Sequence, residues 1–267
     1  MPFRRSSRVA AFGLLTLLAA CGVGAGRTPG VSSPAHEPMT PRNGLEVIGA
    51  MRRAHPSRDL RTLAFTLTTT DYRTASERST RARAHARLPG QFRVTQLPSR
   101  GRNGYVRDRQ RLTVFESGNA VAIRNRVDLA TLLAFDLFAQ SIDTTIMWLD
   151  SARVRFGLAR RDESDGRRVW VVGAMEGDTT SLQFWVDAEQ WRVLRVIQRD
   201  PRAPADILDI RFTEFTEFLD IPVPTRSTTY RNGALTLTQE VSDVAVNPSL
   251  PSGAFDLTRW RNVRQDE

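Results

Sequence analysis

Between Leu63 and Val246 apolar and polar residues alternate with a period of two over many short runs, and that period predicts strands. In the first run Leu63, Phe65 and Leu67 alternate with Ala64, Thr66 and Thr68. In the second, Arg81, Arg83, His85 and Arg87 point one way while Ala82, Ala84, Ala86 and Leu88 point the other. Further strands are predicted at Gln91–Thr95, Arg111–Glu116, Ala120–Arg124, Arg153–Leu158, Arg168–Ala174, Thr180–Asp187, Trp191–Arg199, Ile207–Phe215, Thr225–Arg231 and Ala234–Val246. Turn residues separate several of them: Asp165-Gly166, Glu176-Gly177-Asp178, Asp187 to Gln190, and Asn232-Gly233. Helices do not alternate with strands, so the expected sheet is an antiparallel meander rather than a parallel one.

Two segments depart from the period. Leu45–Ala54 reads as a short amphipathic helix that ends before Pro56. Val127–Gln140 is apolar nearly all round, with Leu129, Leu132, Leu133 and Leu137 on one side, Ala130, Ala134, Phe135 and Phe138 on the other, and Asp128, Thr131 and Asp136 as its polar residues before Gln140. A helix of that kind has to be buried over most of its circumference. The alanine face of Ala82–Ala86 leaves room for it, which places the helix within the curve of the sheet or across its mouth. Ile146, Met147, Trp148 and Leu149 extend the apolar surface. Two outcomes are open: a single closed core, or a hollow of ligand size between helix and sheet.

The N-terminal residues bear on location. Arg4, Arg5 and Arg8 precede an uncharged stretch from Val9 to Ala20, short of the about 20 residues that span a bilayer. The only cysteine of the chain, Cys21, follows at once. Leu18-Ala19-Ala20-Cys21 resembles the lipobox of bacterial lipoproteins, which implies cleavage before Cys21 and acylation of it. Residues 1–20 are accordingly expected to be a signal peptide. Residues 21–43, rich in Gly, Pro, Ser and Thr, are expected to be a tether from membrane to domain. A single domain then occupies 44–260, with a short tail at 261–267. One cysteine permits no internal disulfide, so the fold relies on its core.

Composition excludes more than it selects. All 38 basic residues are arginine and the formal charge is +9, but three of these arginines lie in the leader and the others are spread along the chain. A nucleic-acid interface would need a clustered stripe on a recognisable module, and no nucleic-acid partner is expected. His36, His55 and His85 are scattered, so no metal site is expected, and no cofactor motif is present. Asp162 to Gly166 reads as an acidic hairpin tip, and Asp187 with Glu189 as hydrated turn carboxylates. Trp170, Phe184, Trp185 and Trp191 fall at strand positions and read as core. No catalytic constellation can be assembled, so the chain is read as a binding protein and not as an enzyme.

Three segments, LPGQFRV (Leu88–Val94), FWVDAEQWRVLRVIQRD (Phe184–Asp200) and IRFTEFTEFLDIPVPTR (Ile210–Arg226), resemble in that order the LolA/LolB superfamily of lipoprotein carriers and acceptors, with MucB among its relatives. The resemblance implies a mainly β fold: a strongly curved, incomplete antiparallel barrel with one N-terminal helix and an apolar helix packed on the concave side. It also implies a cavity for acyl chains. The soluble carriers of the family hold the lid with an arginine directly before the turn proline; here that place is taken by Leu88, with Arg87 one residue earlier. Placed on this fold, the expected ligand-binding residues are Phe65, Leu67, Ala82, Ala84, Ala86, Leu88, Leu129, Leu133, Phe135 and Phe138. The expected partners are a lipid acyl chain or a lipoprotein moiety, and a membrane, reached through the anchor at Cys21. Gly22 after the cysteine, with no Asp there, points to the outer membrane by the sorting rule of some bacterial lipoproteins. A structural or sensory envelope lipoprotein with no lipid ligand is the alternative class.

Overall fold

Asn43 sets the first element. Its side chain accepts the Glu46 N–H at 3.0 Å, and α1 (Gly44–Ala54) runs from this cap to Arg52 and Arg53, which suit the negative end of the helix. The computed structural model describes residues 40–260 apart from 75, 99–102 and 201. The expected leader, the anchor at Cys21, most of the tether and the tail at 261–267 therefore lie outside the described residues.

Thirteen strands follow in one antiparallel sheet. The first six are β1 (Thr62–Asp71), β2 (Arg78–Arg87), β3 (Gln91–Leu97), β4 (Gly104–Asp108), β5 (Arg111–Glu116) and β6 (Asn119–Asn125). A helical segment intervenes: α2 (Leu129–Thr131), a π-helical turn (Leu132–Asp136), α3 (Leu137–Ala139) and α4 (Ile142–Ser151). The second run is β7 (Ala159–Ser164), β8 (Arg167–Val172), β9 (Gln183–Asp187), β10 (Val193–Asp200), β11 (Ala203–Phe218), β12 (Ile221–Arg231) and β13 (Ala234–Val246).

Each run is a meander, and the two are joined where the first strand pairs with the last, from Leu63 opposite Val246 to Asp71 opposite Leu237. The sheet thus has its free edges at β6 and β7, the two strands that the helical segment connects. A connection from one edge to the other has to pass across the open side. This is the half-barrel expected above, left unclosed and covered there by helices.

Register explains the alanines. Leu63, Phe65 and Leu67 of β1 stand opposite Ala86, Ala84 and Ala82, and β3 places Phe92 and Val94 opposite Ala86 and Ala84. Large residues of the outer strands flank a small-residue row, which lets the helical segment approach. Leu133 and Leu137 are fully buried in the same cluster as Ala84 and Ala86, together with Val47, Ile48 and Met51 of α1. Each such leucine removed from water is worth roughly 1.5–3 kcal/mol.

Two local expectations are corrected, and three elements are added. Arg153–Leu158 is not a strand. The N–H of Val154 bonds to Leu149 O at 3.0 Å and that of Arg153 to Asp150 O at 2.8 Å, the double closure that ends α4 with Arg153 at φ 68°, a position glycine commonly fills. The apolar helix is broken into α2, π turn and α3 and begins at Leu129. The arginine-rich run before Gln110 contains β4, whose alternation is masked because Arg107 faces inward. Finally, β7 and α4 had no assignment; α4 starts at Ser141, whose hydroxyl accepts the Thr144 N–H at 3.1 Å. The hairpin turns are as expected, with Asp165-Gly166 and Asn232-Gly233 both at positive φ.

The convex side of β2–β5 carries a cover of its own. After Asn247, whose side chain accepts the Arg61 N–H at 2.8 Å, the chain crosses this face and ends the described region at Trp260. Trp260 stacks on Phe115 of β5 with ring centroids 4.2 Å apart. Buried Arg93 of β3 donates to Ala254 O at 3.0 Å and to Trp260 O at 2.9 Å, with its guanidinium 4.2 Å from the centre of the Trp260 ring.

Candidate functional site

The candidate site is the interface between helical segment and concave sheet, together with the hollows at its margins. Asp128 caps α2, its carboxylate accepting both the N–H and the hydroxyl of Thr131 at 3.2 and 2.8 Å. The π turn follows, in which Leu137 N–H donates to Leu132 O. Its extra residue shifts the face that the helix presents. Leu132, Leu133, Leu137 and Phe138 are buried among apolar groups, and Asp136 is buried as well.

Asp136 is held at the turn that joins β2 to β3. Its Oδ1 accepts the Gly90 N–H at 2.8 Å, and its Oδ2 lies 3.6 Å from Nη1 of Arg107, itself buried and with its guanidinium 4.5 Å from the Phe92 ring centre. Burial pushes the Asp136 carboxyl up, while Arg107 and the Gly90 N–H pull it down. Phe135 meets Phe92 edge-on at 5.7 Å. Asp136 thus fastens the helical segment to the sheet, and Arg87 takes no part: it is exposed on the convex side, 5.0 Å from the Phe255 ring centre.

Of the ten expected site residues, Phe65, Ala82, Ala84, Ala86, Leu88, Leu129, Leu133 and Phe138 are buried in one cluster, with Leu67 and Phe135 half-buried against it. The structure thus brings all ten to one face and one helical segment. Sequence reasoning passed over Arg107 and Asp136. A lone carboxylate in a run as apolar as Val127–Gln140 was the available signal, because a buried acid needs a buried donor or cation.

Two hollows border the segment. One, of about 350 Å³, lies at Asp136, lined in part by Pro89, Gly90, Arg107, Leu132, Met147 and Trp148. The other, of about 710 Å³, adjoins it at Gln110 and Val127 and lies by Arg126, Leu129, Arg153 and Leu182. Both fall within the about 300–1,000 Å³ usual for small-molecule sites. Among the described residues no group of three His, Cys, Asp or Glu side chains is placed to hold a metal, and no helix is long and apolar enough to cross a membrane.

The sequence matches no family model and no curated protein. Solved structures share the fold. An outer membrane lipoprotein-sorting protein domain from Vibrio parahaemolyticus is similar with a TM-score of 0.58 at 12% identity, over 82% of this chain and 98% of that one. A DUF1329 family protein from Desulfovibrio piger is similar with a TM-score of 0.55 at 12% identity, over 81% and 97%. A LolA superfamily protein from Nitrosomonas europaea is similar with a TM-score of 0.50 at 14% identity, over 80% and 97%. At these identities the likeness is one of fold: the chain folds as a LolA-type half-barrel.

Proposed function

We propose that this protein is a cell-envelope binding protein that shelters an acyl chain, free or as part of a lipoprotein, beneath the helical segment, and that it is anchored through a lipidated Cys21 facing the periplasm, at the outer membrane. The observation that carries the reading is the pairing of an apolar, fastened helical segment with a small-residue floor, Ala82, Ala84 and Ala86, at the open side of a curved sheet. Here the cover belongs to a connecting segment that can shift without breaking a strand ladder, and lid motion is the step that admits and releases a chain.

Hydrocarbon supplies the energy. Each methylene moved out of water is worth about 0.8 kcal/mol, so a lid that opens at the cost of a few buried contacts is offset by part of one acyl chain. The contacts at Asp136 restrain that opening, because separating the segment from the sheet breaks both the Gly90 N–H bond and the charge contact with Arg107. The membrane anchor would keep the cavity close to its lipid source, and two or more acyl chains on Cys21 make such an anchor durable. Fold likeness to a lipoprotein-sorting domain and a LolA superfamily protein supports the choice of lipid over other apolar ligands.

Native mass spectrometry of the gently purified protein, with a fluorescent fatty acid as probe, tests the reading. Co-purifying lipid or saturable uptake is the expected result; a ligand-free mass with no uptake overturns it. The second reading, an envelope lipoprotein that works through protein contacts with its interior filled by its own side chains, draws on one observation. Ala84, Ala86, Leu133 and Leu137 are fully buried by the chain's own side chains.

A further inference from the structure

The larger hollow has an uneven lining. It lies where β6 gives way to α2, where α4 ends, and beside the residues leading into β9 and the end of β10, so it draws on segments far apart in the chain. Arg126, Arg153, Arg155 and Arg199 line it, and among the described residues no carboxylate does. Val127, Leu129 and Leu182 supply apolar wall.

These arginines are only partly neutralised. Arg155 reaches Asp178 at 3.8 Å, and Arg199 donates to Pro204 O at 3.0 Å. Asp178 is itself engaged by the N–H groups of Thr180 and Ser181, both at 2.9 Å. Neither the Arg126 nor the Arg153 side chain has a hydrogen bond or ion pair among the described residues. Arg126 is half-buried, and burial lowers its affinity for the proton; Asp128 and Asp200 oppose that, while Arg124 and Arg202 add to it. Asp200 is committed to Arg231. Among the described residues Arg126 is thus half-buried without a hydrogen bond or ion pair of its own, and Arg153, Arg155 and Arg199 stand exposed around the same hollow, their donors open to an incoming anion.

We propose that this hollow binds the anionic head of an amphiphile, a phosphate or carboxylate on a hydrocarbon chain, with the four arginines around the head and Val127, Leu129 and Leu182 against the first methylenes. Guanidinium forks suit both oxyanions, and a partly desolvated site strengthens each charge-assisted bond. Leu129 belongs to the lid as well, so an occupied head site touches the first residue of the segment that must move. The inference builds on the acyl-chain reading only for the hydrocarbon; the anion site stands on its own residues.

Calorimetric titration of the purified protein with decyl phosphate, decanoate, decanol and inorganic phosphate separates the possibilities. Decyl phosphate and decanoate are expected to bind at least about tenfold tighter than decanol, the value of one charge-assisted hydrogen bond. Arg126→Gln with Arg153→Gln should remove that advantage, whereas Arg78→Gln with Arg81→Gln, exposed on β2 and outside the lining of the hollow, should not. Arg155→Gln with Arg199→Gln, two exposed side chains, serves as a second variant if the first pair fails to fold. Equal binding of decanol and decyl phosphate would overturn the head site and leave the acyl-chain reading intact. Tight inorganic phosphate binding that depends on Arg126, without decanol binding, supports the anion site with free phosphate as the source and counts against the hydrocarbon. No binding of any of the four defeats both.

Discussion

The Asp136 carboxylate accepts the Gly90 N–H at 2.8 Å, and this bond joins the π turn of the helical segment to the turn between the second and third strands. Arg107, 3.6 Å away, supplies the opposite charge. Both partners are buried, so the pair is sensitive to losing one member and tolerant of losing both.

Asp136→Ala should therefore lower stability by about 3–5 kcal/mol, since Arg107 would be left buried without its counter-charge. Arg107→Met combined with Asp136→Leu should come closer to the parent than either single change. Urea denaturation of the parent, the two singles and the double reads this directly; additive losses would show that the two groups do not act together.

Stability should fall as pH drops from 6.5 towards 4, in part through His85. This imidazole is buried on the convex face opposite Arg93, and burial first, then Arg83 and Arg93, lower its pKa to about 4. A base whose pKa is depressed by folding contributes stability above its unfolded value of 6.5, and the contribution is lost as pH falls through 4. Asp136 acts with the opposite sign: its raised pKa favours the fold at low pH, and that share declines as pH rises past the ordinary carboxylate range. Chemical denaturation at a series of pH values should thus show a smaller acid loss in His85→Gln than in the parent. Identical profiles would remove His85 from the account.

The C-terminal strap should be a structural element. Trp260→Ala removes the ring that covers Arg93 and stacks on Phe115, and a loss of about 3–5 kcal/mol is expected from urea midpoints. Arg259→Ala, beside it but exposed, should change stability by no more than about 0.5 kcal/mol. Equal effects would mean that the strap is only loosely docked.

Ala84→Trp tests the floor beneath the lid. Ala84 is fully buried between Phe65 and Val94, so the larger ring should overpack the interface at a cost of about 1–3 kcal/mol and displace the helical segment. Uptake of a fluorescent fatty acid should fall with it. A folded variant that takes up the probe as well as the parent would place the ligand away from this floor.

Much of the fold was legible because local periodicity is local physics. Leu63, Phe65 and Leu67 against Ala82, Ala84 and Ala86, the Asn232-Gly233 turn and the apolar run from Leu129 to Phe138 all announce their geometry within a few residues. What misled was chemistry that copies a period without obeying it. Arg153 to Phe156 alternates like a strand yet closes a helix, through a left-handed arginine where glycine would have been the signal. The fourth strand was hidden because its inward residue is an arginine.

Composition and pattern by themselves determined an antiparallel meander, an apolar segment that needs burial, and an N-terminus resembling that of a lipoprotein; the curved half-barrel was implied by the family resemblance. Tertiary structure alone decided that the first and last strands pair, that Arg107 meets Asp136, and that four arginines from three distant segments share one hollow. The physical reason is range: hydrogen-bonding turns and side-chain alternation act over neighbours in sequence, whereas a buried charge finds its partner only after the chain has closed on itself.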